Sequence, residues 1–246
     1  MTYLGGGGLC CRAFVRRFFT TDFLQLFGLK MKLISSAKNS LINITSFFVI
    51  VALPLTPVWA TGDTAVGKEK SQVCQGCHGA DGNSYGPEWP NLAEQHASYL
   101  TKQLHNFQNG ERVNETMSGM VVGLTDQDIK DIAAYFSSQP LQSQALDTDA
   151  EVIKTGRKIY KGGNRYTGVP ACAGCHGPNA VGNGPAAFPH LAGQKPTYVV
   201  KTLNDFKSGK RANDYNEIMR NIASKMTDNE IAAVAAYVAT LKVTTK

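Results

Sequence analysis

The stretch "CQGCH" at residues 74–78 recurs as "CAGCH" at residues 172–176. Each copy places two cysteines one helical turn apart, with a histidine directly behind the second. Cys-x-x-Cys-His is the attachment signature of c-type haem. Thiols at this spacing can add to the two vinyl groups of one porphyrin, and the adjoining histidine then lies under the iron. The sequence therefore predicts two covalently bound haem c groups, held by these cysteines and proximal histidines: Cys74, Cys77, His78, Cys172, Cys175 and His176.

Other uses of paired cysteines fit this pattern less well. An exported chain with an even number of cysteines often forms disulfides, but that leaves the repeated histidine unexplained. A redox dithiol is expected in a βαβ setting, and no stretch here alternates like a strand. A structural zinc site would require the two pairs to share one metal, whereas each pair lies in its own repeat beside its own histidine.

The two motifs belong to a long internal repeat. Residues 74–114 match residues 172–213, and residues 125–136 match residues 227–238. Equivalent positions include Pro90, Leu92, Tyr99, Leu104, Phe107, Gly110 and Arg112, which match Pro189, Leu191, Tyr198, Leu203, Phe206, Gly209 and Arg211. A twofold repeat of about a hundred residues indicates tandem domains. We predict an N-terminal domain at 61–136, a polar, proline-containing linker at 137–150 and a C-terminal domain at 151–246.

Each domain is predicted to be a small helical fold wrapped around its haem. The last helix of each copy has a capping-box pattern, Thr125 with Asp128 and Thr227 with Glu230. An apolar face at helical spacing follows each cap. The faces consist of Ile129, Ile132, Ala133 and Phe136 in one copy and Ile231, Val234, Ala235 and Val238 in the other. The predicted fold class is all-α.

The first sixty residues are predicted to be a leader. Residues 31–60 begin with basic residues, continue with an apolar run and end in "VWA", as a secretory signal peptide does, with cleavage expected after Ala60. A membrane anchor is the alternative, but the run is short and two prolines interrupt it. Residues 1–30 precede a second start at Met31 and are interpreted as an upstream extension.

Charge excludes one class of partner. The whole chain has a net charge of +6, but residues 61–246 hold 19 basic and 18 acidic residues, so nucleic-acid binding is not indicated. The two halves differ: 61–147 carries a net −6 and 148–246 a net +7. We expect the halves to dock partly by electrostatic attraction. We also expect the basic half to stabilise its reduced haem and hold the higher potential.

The repeat selects the second axial ligand of each iron. Met117 and Met219 each lie eight residues before the capping threonine of their copy. The other candidate methionines and histidines lack an equivalent of the same type: Met120, Met226, His96, His105 and His190. We therefore predict His78 with Met117 and His176 with Met219. Thioether ligation raises the reduction potential, and two filled axial positions suit electron transfer rather than catalysis.

These residues resemble the two-haem cytochrome c4 family, over essentially all of 61–246. "CQGCHGADGNS", "YLTKQLHNFQNGER" and "MSGM" resemble its N-terminal half, and "FPHLAGQ" and "IMRNIASKMTDNEI" its C-terminal half. The resemblance implies two class I cytochrome c domains in a periplasmic electron carrier that is not an enzyme. It also implies redox partners of the respiratory chain, a terminal oxidase as acceptor and peripheral association with the inner membrane.

The resemblance implies one further contact for each proximal histidine. In class I cytochromes a proline carbonyl accepts the Nδ1–H of that histidine. "GP" at 86–87 and at 184–185 resembles that turn, so the role is assigned to Pro87 and Pro185. Such a bond would set the orientation and basicity of the ligand.

Three other functions remain open at this point. The chain could be the cytochrome subunit of a larger dehydrogenase, such as a flavocytochrome, which requires a partner chain. A dihaem peroxidase or a gas-binding sensor would need one haem with an open sixth position, and both copies keep the same methionine.

Overall fold

The computed structural model describes residues 61–142 and 146–242. The all-α prediction is confirmed, since the chain within these ranges forms helices and no strand. Two isolated β-bridges, Asn164 to Val169 and Asn183 to Phe188, join loop residues in the C-terminal half. The predicted leader and its cleavage site lie outside the described residues.

Within the described residues, each half contains five α-helices. In the N-terminal half they are α1 (Thr64–Lys70), α2 (Gln72–His78), α3 (Ala97–Gln108), α4 (Glu115–Met120) and α5 (Asp126–Ser138). In the C-terminal half they are α6 (Ala150–Gly162), α7 (Ala173–His176), α8 (Pro196–Lys207), α9 (Ile218–Ala223) and α10 (Asp228–Thr240). A short 3₁₀ turn, Tyr215–Glu217, precedes α9. Since α5 ends at Ser138 and α6 begins at Ala150, the proposed linker of 137–150 overlaps the ends of both helices.

The capping boxes and apolar faces predicted for the last helices are confirmed. Thr125 and Asp128 cap α5 reciprocally, and Thr227 and Glu230 cap α10 in the same way. Buried residues of α5 form most of the N-terminal core, and those of α10 form much of the C-terminal core.

The first helix of each half crosses the last one at a glycine. A Cβ on Gly67 of α1 would lie 2.0 Å from the carbonyl oxygen of Asp131 in α5. A Cβ on Gly156 of α6 would lie 1.9 Å from the carbonyl oxygen of Ala233 in α10. Glycine therefore allows backbone contact between the first and last helices at both crossings. None of the helices described here is long and apolar enough to cross a membrane.

Candidate functional site

The cysteines and histidine of each motif lie on or beside one short helix. Cys74, Cys77 and His78 belong to the last two turns of α2, while Cys172 is the N-cap of α7 and Cys175 lies within it. None of these four thiols is in a disulfide. Burial raises the pKa of Cys74 and raises that of Cys172 to about 11, so both stay neutral thiols at pH 7.

Both proximal histidines are buried and oriented by a proline carbonyl. His78 Nδ1 lies 2.9 Å from the oxygen of Pro90, and His176 Nδ1 lies 3.1 Å from that of Pro189. Burial lowers the pKa of each imidazole, and the carbonyl contact offsets this in part. Because a carbonyl can only accept, Nδ1 of each neutral ring carries the proton. Nε2 then keeps the lone pair that a metal requires.

The assignment of this carbonyl to Pro87 and Pro185 is wrong. Both prolines lie earlier in the loop than the carbonyl that contacts the histidine. The chain returns toward the histidine where two backbone hydrogen bonds close the loop. In the N-terminal half the amides of Leu92 and Ala93 donate to Gly82 O at 2.7 and 3.1 Å, and Pro90, two residues before Leu92, contacts His78 through its carbonyl.

The same closure operates in the second half. The amides of Leu191 and Ala192 donate to Ala180 O at 2.7 and 3.1 Å. The repeat contained a signal for this position, since Pro90 and Pro189 align with the residues around them, "PNLA" and "PHLA". The Gly-Pro pairs at 86–87 and 184–185 rest on resemblance alone.

The two predicted methionine ligands occupy equivalent short helices. Met117 is the third residue of α4, and its amide donates to Asn114 Oδ1 at 2.9 Å. Met219 is the second residue of α9 and packs against the C-terminal core. Both side chains are half-buried.

The residues without a repeat equivalent are used elsewhere. Met120 is 48% exposed, whereas Met226 is 3% exposed and fills the core. His96 Nε2 contacts Val181 O at 2.7 Å, and His190 Nδ1 contacts Glu94 O at 2.9 Å. His105 is half-buried, with Nδ1 3.9 Å from a carboxylate oxygen of Asp126. The selection of Met117 and Met219 stays a prediction from the repeat.

The halves meet through hydrogen bonds that the sequence did not reveal. Arg112 donates to the hydroxyl of Tyr198, and Arg211 donates to that of Tyr99, both at 3.1 Å. Arg112 and Arg211 are repeat equivalents, as are Tyr99 and Tyr198. Each half therefore supplies the arginine of one contact and the tyrosine of the other. Gln103 accepts from both arginines at 2.8 and 2.9 Å. The repeated Tyr and Arg were visible in the sequence, but their pairing across the halves was not.

The donor set of each half fits haem c. It consists of two thiols one helical turn apart, a neutral imidazole with its Nε2 lone pair available, and a half-buried thioether later in the same half. Within the described residues there is no cluster of three or more His, Cys, Asp or Glu side chains that could hold a metal ion.

Comparison with known proteins gives the same assignment. The family model described as Cytochrome c matches residues 64–140 and again 153–242. Cytochrome c4 of Pseudomonas aeruginosa is 46% identical over 180 residues, which cover 73% of this chain and 89% of that protein. The crystal structure of reduced recombinant cytochrome c4 from Pseudomonas stutzeri is 43% identical with a TM-score of 0.71, covering 74% of this chain and 100% of that one. A thiosulfate dehydrogenase electron acceptor of Stutzerimonas stutzeri is 36% identical, covering 69% of this chain and 79% of that protein.

Proposed function

The chain belongs to the two-haem cytochrome c4 family, and from that premise we propose that it passes single electrons between respiratory-chain partners in the periplasm, toward a terminal oxidase. It is an electron carrier with two covalently bound haem c groups, not an enzyme. Cys74, Cys77, Cys172 and Cys175 attach the groups. His78 with Met117 and His176 with Met219 hold the irons.

The observation that best supports this assignment is a histidine-to-carbonyl hydrogen bond that occurs in both halves. In both halves the histidine behind the cysteine pair donates Nδ1–H to a prolyl carbonyl, at 2.9 and 3.1 Å. That bond fixes the tautomer with the proton on Nδ1, leaves the Nε2 lone pair for the iron and raises the basicity of the ring. Haem c, when bound, supplies an iron that takes up and releases one electron. As iron ligands, the thioethers of Met117 and Met219 would favour the reduced state and would exclude oxygen and peroxide.

Export and partners complete the proposal. Haem attachment in the periplasm requires translocation, and residues 31–60 have the pattern of a signal peptide. We propose a mature N-terminus at Thr61 and peripheral association with the inner membrane, both of which can be checked by cell fractionation and N-terminal sequencing. A mature protein that retains residues 31–60 would contradict the proposed cleavage.

The relationship to a thiosulfate dehydrogenase electron acceptor favours a second candidate. In that case the chain takes its electrons from a periplasmic dehydrogenase and acts as its cytochrome partner or subunit. Affinity purification from cells with chromosomal expression separates the two candidates. A dehydrogenase that co-purifies at a constant ratio supports the second, and an oxidase or no fixed partner supports the first.

A carbon monoxide titration tests the axial ligands. The optical spectrum of the reduced holoprotein should not change with carbon monoxide, since both sixth positions are filled. Met117→Ala should let one haem bind the gas. Met120→Ala, three residues along the same helix and 48% exposed in its native side chain, is the matched control and should behave like the wild type. Prompt binding by the wild type would favour the peroxidase and sensor functions instead.

A further inference from the structure

One peptide group links each proximal histidine to the opposite half of the molecule. The carbonyl of the Pro90–Asn91 peptide accepts from His78 Nδ1 at 2.9 Å. The N–H of the same peptide donates to Oε1 of Gln194, in the C-terminal half, at 2.8 Å. His78 is therefore two hydrogen bonds away from a side chain of the other domain.

The second half repeats this connection in the opposite direction. The carbonyl of the Pro189–His190 peptide accepts from His176 Nδ1 at 3.1 Å. The N–H of His190 donates to Oε1 of Gln95, in the N-terminal half, at 2.9 Å. Each glutamine also donates Nε2 to the next carbonyl, from Gln194 to Asn91 O and from Gln95 to His190 O, both at 2.9 Å. Two hydrogen bonds therefore join each glutamine amide to one residue of the opposite half, Gln194 to Asn91 and Gln95 to His190.

These groups are shielded from water. The exposed fractions are 5% for Gln95, 6% for Gln194, 3% for Asn91 and 6% for His190. No solvent molecule can readily replace a glutamine oxygen that is removed. In such a setting hydrogen bonds in a chain polarise one another, so a stronger bond at the N–H makes the carbonyl of the same peptide a better acceptor.

We propose that Gln95 and Gln194 are positioning residues that tune the iron ligand of the opposite half, Gln95 acting on His176 and Gln194 acting on His78. The proposal rests on the proposed roles of these histidines as iron ligands. Docking of the halves thereby sets part of each reduction potential.

The sign of the effect follows from the chain of bonds. A glutamine oxygen that accepts from the peptide N–H strengthens the carbonyl that accepts from Nδ1–H. The imidazole then gains electron density at Nε2 and stabilises the oxidised iron more than the reduced iron. Loss of the glutamine should raise the potential of the opposite haem, and a carboxylate in its place should lower that potential.

Site-resolved redox titration of the holoprotein tests the proposal, with haem methyl resonances in NMR reporting each haem separately. Gln95→Met keeps the shape of the side chain but removes the acceptor. It should raise the equilibrium constant for reduction of the C-terminal haem roughly two- to fivefold and leave the N-terminal haem nearly unchanged. Gln194→Met should do the reverse. Gln95→Glu should shift the C-terminal haem in the opposite direction to Gln95→Met.

Ser98→Ala is the matched control. Ser98 is exposed, lies three residues after Gln95 and also crosses the halves, donating to Gly184 O at 2.5 Å, but it touches neither peptide. It should shift neither haem. A shift of the haem in the same half as the mutation, equal shifts of both haems, or no shift would overturn the proposal. Since the carbon monoxide titration tests the ligands themselves, a failure here with unreactive wild-type haems leaves the proposed function standing.

Discussion

Glu94 adopts a backbone conformation for which its repeat equivalent uses glycine. Its φ is 55°, and that of Gly193 is 66°. A non-glycine residue in this left-handed region costs about 1 kcal/mol or more. The side chain adds a second cost, because Oε2 is buried and has no hydrogen-bond partner in the described part of the chain. Its carbonyl accepts from His190 across the interface and holds the residue in this conformation.

Glu94→Gly should therefore stabilise the protein. Removal of the backbone strain and of the unpaired carboxylate oxygen should gain about 1 kcal/mol, which corresponds to a rise of roughly 2–4 °C in the thermal midpoint of the holoprotein. Glu94→Ala separates the two effects, since alanine keeps the strain and loses only the carboxylate. A midpoint that falls in the glycine variant would show that the glutamate makes a stabilising contact in the native state.

Gly67 and Gly156 set the distance between the first and last helices of the two halves. Each lies so close to a carbonyl of the partner helix that a Cβ would be within 2.0 Å of its oxygen. A methyl group cannot be accommodated by a rotamer change here, because the obstacle is backbone. The crossing must open, and the core between the helices must open with it.

Gly156→Ala should be strongly destabilising, by about 3 kcal/mol, with the thermal midpoint falling by roughly 6–12 °C. Gly162→Ala is the control within the same helix. A Cβ there meets no atom within 4 Å, and the native φ is not positive, so the better helix propensity of alanine should leave the midpoint unchanged or slightly raised. Equal midpoints for the two variants would mean that the crossing does not depend on the glycine.

The sequence predicts the helices whose capping residues and apolar face lie within the helix itself. Helices α5 and α10 carry a capping box and an apolar face, and both form as expected. Helices α1 and α6 contain a glycine that lowers helix propensity, and only the crossing partner, distant in sequence, explains it. The carbonyl of Pro90 was missed for a similar reason, because a loop closure at Gly82 decides which proline reaches His78. Gln95 and Gln194 have no local signal, since their partners lie across the interface.

At the scale of the whole molecule, electrostatic attraction between the oppositely charged halves stays a prediction. Each ion pair found in the described residues joins two residues of the same half. The contacts between the halves are hydrogen bonds, many of them buried and between neutral amides, such as Gln194 with Asn91 and Gln95 with His190. Hydrogen bonds between neutral amides are insensitive to ionic strength, so we expect this part of the interface to hold when salt screens the charge difference.

Salt should accordingly separate docking from redox tuning. Between about 0.01 and 1 M salt the screening length falls from ~30 to ~3 Å. Hydrogen exchange of the Asn91 and His190 amides, which report the docked interface, should keep the same protection across this range. The net +7 of residues 148–246 stabilises the reduced, less positive haem, so the C-terminal haem should have the higher potential at low salt. That potential difference should narrow as salt is added. If amide protection is lost together with the potential difference, long-range charge holds the halves together after all; a higher N-terminal potential at low salt would show that local ligand contacts outweigh the net charge.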